Sequence, residues 1–338
     1  MVSDGVVVGL GFHTWAGVKH AEILALEQAG PKARGAALYV SLEPCSHQGR
    51  TGPCVDAIIA AGIRKVVAPV ADPNPLVAGK GFARLREAGI DVEIDSSWAE
   101  EAEQMNEAFF HFMRTGRPLV TLKAAVTLDG KIAAPDNNDG WITSESARAH
   151  VQVLRHHSDA ILTGIGTVLA DDCRLTDRTD DPRSRPLLRI VADSQLRLPS
   201  ESLMVQSCQN DVMVATTSAG SPERRRRLEA AGIRVETLEG SDGRVSLRAV
   251  VELLAKEKYL SLMIEAGSRL NWGVLESGIA DKIFFYYAPK ILGGTQSLPV
   301  AGGLGRRGRK DAIAFHNVRL HPIPPDEFAV EAYLDPRV

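Results

Sequence analysis

An imidazole, two thiols and a carboxylate stand near the start of the chain in a spacing that suits one kind of chemistry. His20-Ala21-Glu22 opens a helix-like stretch, and Pro44-Cys45 and Cys54 flank the turn SHQGRTGP after a strand-like run. One imidazole nitrogen and two thiolates fill three corners of a tetrahedral zinc site and leave the fourth for water. Zinc lowers the pKa of such a water toward ~7, and a carboxylate that is not a ligand can carry its proton onward. Glu22 is the carboxylate so placed, which makes His20, Cys45 and Cys54 the metal ligands. A structural zinc or a pair of buried cysteines is the alternative, and the joint H-x-E and P-C pattern weighs against it.

A second candidate is Gly164-Ile165-Gly166, which closes the apolar run DAILTG and precedes a short helix. Its backbone amides could meet a phosphate. A tight strand-to-helix turn is the plainer reading, and no G-x-G-x-x-G fingerprint heads a βαβ unit.

Both groups need elements to hold them. The runs VVVGL, AALYVSL, RKVVAPV and DVEI read as strands, and HAEILALEQAG, CVDAIIAAG and GFARLREAG read as helices between them. Those helices end in Gly30, Gly62 and Gly89, the residue that accepts a left-handed C-cap. The stretch WAEEAEQMNEAFFHFMRTG reads as one amphipathic helix, broken at Gly116-Arg117-Pro118. A second alternating series then runs from PLVTLKAAV to DKIFFYYAP, so two α/β domains are expected, at 1–117 and 118–338. The Arg224–Arg227 run, set between Glu223 and Glu229, reads as a solvated helix face.

At 338 residues the chain exceeds the usual size of one core. A net charge of −3 gives no field for a phosphate backbone, so no nucleic-acid partner is expected. No apolar run is long enough to span a membrane and no signal peptide is visible, which predicts a cytoplasmic protein. Four cysteines in a chain of this length do not make a disulfide framework.

The H-x-E and P-C pattern is that of zinc deaminases, whose glutamate is the acid/base and not a ligand. Here eight residues separate the two cysteines where nucleic-acid deaminases keep two. With that longer loop, Pro44 to Cys54 resembles the deaminases of riboflavin biosynthesis, as does Asp72-Pro73-Asn74-Pro75 with Gly79. The resemblance implies that His47 and the loop around Arg50 face the pyrimidine or its ribose phosphate. It also implies a further segment of T-x-P-N-P type ahead of Val6-Val7-Val8. That strand would then have nothing ahead of it to pair with, and a chain so shortened is expected to deaminate poorly.

The later blocks Leu122–Gly130, Trp141–Ser144, Ser158–Asp172 and Glu265–Gly267 resemble, in order, the reductase domain of the same bifunctional family. The implied fold is α/β, a cytidine-deaminase-like zinc domain followed by a dihydrofolate-reductase-like domain. NADPH would be lined by Ala125, Trp141, Thr167, Asp171, Ser194 and the stretch Gly267, Ser268, Arg269, Leu270, Asn271, Trp272, Gly273. Arg155, Leu175, Arg178 and Glu265 would face a phosphorylated pyrimidine, the two arginines as bidentate phosphate clamps, with a surface ion-pair partner the alternative for either. Lys123 and Glu265 would manage the proton that accompanies hydride transfer; Lys123 is otherwise an exposed edge residue. The chain departs from the family at Asn138-Asp139-Gly140, where Asp139 replaces a substrate-facing serine, and at Cys173, where a proline is usual. A homodimer through the second domain is implied as well. A reductase with a zinc-stabilised remnant, and a nucleotide-binding regulatory protein without activity, stay open as other readings.

Overall fold

The computed structural model describes residues 1–12, 19–48, 52–75, 77–183 and 185–334. The chain forms two compact units, residues 1–116 with 182–184, and residues 117–181 with 185–338.

The first unit contains β1 (Val2–Ser3), β2 (Val6–Val7), α1 (Ala21–Ala29), β3 (Ala37–Tyr39), α2 (Cys54–Ala60), β4 (Lys65–Ala68), α3 (Lys80–Glu87), β5 (Asp91–Ile94), α4 (Ala99–Met105) and α5 (Glu107–Thr115). Its sheet has the order β2-β1-β3-β4-β5, with β3, β4 and β5 parallel and β1 antiparallel to both neighbours. Leu38 and Val66 from the strands pack with Ala25 and Ala29 of α1, Val55 and Ile58 of α2 and Leu85 of α3.

Two expectations need correction here. The strand at Val6–Val7 does have a partner ahead of it, because Val2–Ser3 pairs with it across Asp4-Gly5. Both turn residues have positive φ, 49° and 77°, the conformation that a two-residue hairpin demands and Asp-Gly supplies. The single helix expected over 98–116 is two. Asn106 donates its side-chain amide to the Ala102 carbonyl at 3.0 Å and adopts a non-helical ψ of 25°, so the helix stops and restarts.

The second unit contains β6 (Leu119–Thr127), β7 (Lys131–Ala133), α6 (Glu145–His156), β8 (Ala160–Gly164), α7 (Ile165–Asp171), β9 (Leu188–Ala192), α8 (Leu203–Gln206), β10 (Val212–Thr216), α9 (Pro222–Ala230), β11 (Arg234–Thr237), α10 (Leu247–Lys256), β12 (Ser261–Glu265), α11 (Ser268–Ser277), β13 (Lys282–Ala288), β14 (Leu298–Pro299), β15 (Phe315–Ile323) and β16 (Glu327–Leu334). Nine strands form one sheet in the order β11-β10-β9-β8-β12-β6-β13-β16-β15. It is parallel from β11 to β13, and β16 and β15 add an antiparallel edge that the sequence series did not include.

Alternation along β6 decides what each face carries. Val120, Leu122, Ala124 and Val126 pack under α10 and α11, whereas Lys123 shares the other face with Phe284 and Tyr286, over which α6 lies. On α9, Arg227 pairs with Glu223 at 2.5 Å and Arg225 with Glu229 at 3.4 Å, the solvated face expected of that run.

Arg189 of β9 is fully buried, and its guanidinium donates to Asp211, Ser207 and the Arg174 carbonyl at 2.8–3.0 Å. Arg189→Met would leave the Asp211 carboxylate without its cation. We expect it to destabilise the second unit by about 3–5 kcal/mol, read as a lowered denaturant midpoint. A midpoint within error of the unsubstituted chain would refute this.

Candidate active sites

In the first unit the three expected metal ligands converge from three segments. His20 is the N-cap of α1, Cys45 lies in the loop after β3, and Cys54 opens α2. Residues before α1 run directly against it: a Cβ on Gly11 would stand 2.0 Å from the Ala21 carbonyl, so only glycine permits that approach. His20 Nδ1 lies 3.5 Å from Cys45 Sγ and 3.2 Å from Cys54 Sγ, and all three donor atoms fall within 4.8 Å of one another. An ion about 2.0–2.3 Å from each donor requires tetrahedral edges of about 3.5–3.8 Å, so the cluster fits zinc with little adjustment.

The electrostatics agree with that fit. The hydrogen bond shared with the Cys54 thiol outweighs burial and, with the Cys54 backbone N–H and His20, holds the Cys45 thiol down to about 5. The same shared bond and burial push Cys54 up. A divalent cation bound here would displace thiol protons as the sulfurs became ligands. Burial pushes the Glu22 carboxyl up, only partly offset by a backbone hydrogen bond and by His20, and the carboxyl also meets the Cys54 thiol. Glu22 is therefore in place beside the donors. His47 is exposed, close enough to Asp72 to interact electrostatically, and Arg50 lies outside the described residues.

Sequence reasoning passed over Glu43. It is 3% exposed, two residues before Cys45, and its described partners are backbone N–H groups of Asp72, Gly79, Gly81 and Phe82. The available signal was an acidic residue ending the apolar run YVSL just before a ligand.

In the second unit the polar residues gather at the carboxyl ends of parallel strands, where open α/β sheets bind ligands. Glu265 ends β12, and in register beside it on β6 is Lys123, 6% exposed, with Nζ 3.1 Å from Glu265 Oε1. Lys123 lies in the middle of the sheet, so the edge-residue alternative fails. Arg155 of α6 faces the same carboxylate through Nη2 at 2.9 and 3.0 Å and Nε at 3.2 Å, and Nη1 donates to the Thr176 carbonyl at 3.1 Å. Arg155, expected as a phosphate clamp or else a surface ion-pair partner, is buried and ion-paired with Glu265. Burial opposes ionisation of Glu265, yet Lys123 and Arg155 override it and hold the carboxyl down to about 2.

Thr176 lies between Leu175, buried at φ 54°, and Arg178, exposed with its backbone N–H on Gln152 Oε1; Arg155 and Glu265 are brought together, while the described contacts place neither the Leu175 nor the Arg178 side chain on Glu265. Ala125 is two positions beyond Lys123 on the same face. Thr167 in the first turn of α7 stands 3.6 Å from where a Cβ on Gly267 would be, which sets the β8 and β12 ends side by side. Ser194 follows β9 and accepts the Val245 N–H at 3.3 Å; Asp171 ends α7. In the first turn of α11, Ser268 Oγ and Asn271 Oδ1 are buried with no hydrogen-bond partner among the described residues. Arg269 is exposed, Leu270 and Trp272 are half-buried, and Gly273 follows on α11. Trp141 is 68% exposed under Arg148 at 4.9 Å, and no described contact ties it or the exposed Asp139 to the Glu265 cluster.

No helix among the described residues is long and apolar enough to cross a membrane. Residues 118–322 match the family described as the RibD C-terminal domain, and residues 1–70 match the cytidine and deoxycytidylate deaminase zinc-binding region. The riboflavin biosynthesis protein RibD of Bacillus amyloliquefaciens is 40% identical over 326 residues, 96% of this chain and 87% of that protein. RibD of Acinetobacter baumannii superposes with a TM-score of 0.86 at 34% identity, covering 99% of this chain and 90% of that one. A Thermotoga maritima structure titled diaminohydroxyphosphoribosylaminopyrimidine deaminase/5-amino-6-(5-phosphoribosylamino)uracil reductase gives 0.81 at 33% identity, with 99% and 90% covered.

The Glu265 arrangement predicts a pH dependence. Its folded value of about 2 lies below the ~4.3 of an unfolded glutamate, so its contribution is complete above ~4.3 and is lost as pH falls toward about 2. The stability gap between the unsubstituted chain and Glu265→Gln should therefore be flat from about pH 7 to about pH 5 and shrink below that. Urea denaturation across this range checks it, and a gap that stays constant to about pH 3 would contradict it.

Proposed function

The chain belongs to the RibD family of riboflavin-biosynthesis proteins, and from that membership we propose how its residues divide two reactions between them. It is a bifunctional enzyme, a zinc-dependent pyrimidine deaminase and an NADPH-dependent reductase. It deaminates 2,5-diamino-6-(5-phosphoribosylamino)pyrimidin-4(3H)-one and then reduces the ribosyl group to a ribityl chain. Matches to both a zinc-binding deaminase region and a reductase domain disfavour the reductase-only and the regulatory readings. The observation that carries the assignment is the convergence of His20, Cys45 and Cys54 beside Glu22.

His20, Cys45 and Cys54 would hold the zinc, which when bound supplies activation of the hydrolytic water. Glu22 takes a proton from the attacking water and delivers it to the departing amine, a task helped by a carboxyl that burial has pushed up. His47 faces the pyrimidine or its ribose phosphate.

In the second unit NADPH supplies the hydride when bound. Ala125, Trp141, Thr167, Asp171, Ser194 and the residues from Gly267 to Gly273 line it. The unpartnered Ser268 and Asn271 oxygens and the strand-end positions of Thr167, Ser194 and Gly267 support that assignment. Lys123 presents its N–H groups to the substrate, one of them already on Glu265 Oε1, and is the proton donor. Glu265, held ionised, orients Lys123 and does not donate. Arg178 is the cation that remains exposed for the phosphate, with Leu175 against the substrate and Arg155 fixing Glu265.

A cytoplasmic, reducing compartment suits the free thiols of Cys45 and Cys54. A homodimer through the second unit fits β15, a sheet-edge strand with Val318 and Leu320 59% and 67% exposed. Light scattering should give the mass of two chains, and Val318→Lys with Leu320→Lys the mass of one; a monomeric unsubstituted chain would end this reading.

Glu22→Gln should abolish ammonia release while zinc stays near one ion per chain and NADPH oxidation with the deaminated substrate persists. Loss of zinc in that variant would move Glu22 from proton carrier to ligand and overturn the assignment.

A further inference from the structure

We propose that Glu43 is a positioning residue for the hydrolytic site, its carboxylate tying the Pro44–Cys45 turn to the segment Asp72–Phe82. This rests on the reading of Cys45 as a metal ligand.

Glu43 Oε2 accepts the N–H of Asp72 at 3.1 Å and of Gly79 at 2.8 Å, and Oε1 accepts those of Gly81 at 2.8 Å and Phe82 at 3.2 Å. A carboxylate offers about four lone-pair sites, so the four amides use nearly all of its capacity. Buried charge is otherwise strongly disfavoured, which makes the arrangement a fixed one. Gly81 and Phe82 belong to the first turn of α3, whose N–H groups have no partner within the helix. The α3 N-cap is Gly79, at φ 79°, which brings no side chain of its own. Glu43 stands in as the cap from a distant segment and places negative charge at the positive end of the helix.

The backbone contact is equally close. A Cβ on Gly81 would lie 2.2 Å from the Pro44 carbonyl, so the start of α3 packs directly on the peptide that leads to Cys45. The far end of the clamped segment is Asp72, 8% exposed and near enough to Cys45 and His47 to interact with both electrostatically. One side chain thus sets the separation between Cys45 and the Asp72–Phe82 segment. A tie of this kind acts through Cys45 and Asp72 and touches no reacting atom.

The test uses the full zinc-loaded chain. Glu43→Gln keeps the shape but turns an NH₂ group toward two of the four N–H donors, and Glu43→Asp keeps the charge with a shorter reach. In Glu43→Gln, amide exchange across 72–82 should speed up about tenfold or more, and the deamination kcat per folded chain should fall by a similar factor. NADPH oxidation should be unchanged, and Glu43→Asp should recover part of both losses. Faster exchange with an unchanged kcat per folded chain would reduce Glu43 to a structural tie and overturn the proposal, as would unchanged exchange. If Glu43→Gln does not fold, Gly81→Ala keeps the Glu43 side chain but forces a methyl onto the Pro44 carbonyl and to 3.0 Å from Glu43 Oε1, loosening the same tie; the same kcat loss is expected, and an unaltered kcat overturns the proposal. Failure of the ligand reading would look different, as an unsubstituted chain that deaminates without zinc.

Discussion

The Glu265 carboxylate at the end of a parallel strand stays ionised because cations are brought to it, and in the second unit that pairing fixes three elements at once. Glu265 on β12 draws Lys123 from β6 and Arg155 from α6, so the helix over this face is set by charge as well as by Ala147 and Val151. Arg155 then reaches the Thr176 carbonyl, and Arg189, buried on β9, reaches the Arg174 carbonyl at 2.8 Å. Leu175 between them is held in the left-handed region at φ 54°, a conformation that a β-carbon resists and that persists only where its surroundings impose it. Two arginines without freedom thereby shape the segment that carries the exposed Arg178.

The first unit meets the same problem with different means. Its buried carboxyl group Glu43 is held by backbone amides and, among the described residues, by no side-chain cation, and Cys45 likewise takes the Cys54 N–H. Glu22, with thiols as neighbours, is pushed up by burial, whereas Glu265, faced by two cations, is pushed down. Identical side chains are thus shifted in opposite directions by what surrounds them.

These differences explain what could be read from the sequence. Metal chemistry demands particular residue types, so His20, Glu22, Cys45 and Cys54 stand out even though 34 positions separate the first ligand from the last. Long apolar runs such as LVTLKAAV and LSLMIEAG declare buried strands for the same reason. Glu43 and Arg155 were harder, because their partners lie 29–39 and 110 positions away and nothing local marks the pairing. Arg155 invited a phosphate-clamp reading since a guanidinium suits either anion. The Asn106 break and the Asp4-Gly5 hairpin were local signals outweighed by the stronger helical and strand periodicity around them. The β15–β16 pair escaped because an edge strand such as FHNVRLHPI exposes much of its length and loses the apolar pattern.

Strand length gives the metal a second consequence. The five strands of the first unit span two to four residues each, against nine for β6 and seven for β13. Short ladders bring few backbone hydrogen bonds, so cross-links between segments matter more to cohesion there. His20, Cys45 and Cys54 join the start of α1, the loop after β3 and the start of α2, and Glu43 joins that loop to α3. Ligand binding to the folded state alone stabilises it, and a zinc that links three segments does so strongly. A metal held there would in this sense be part of the first unit's fold as well as its chemistry. The second unit, with a continuous sheet packed on both faces, has its site held by ion pairs and needs no such bridge.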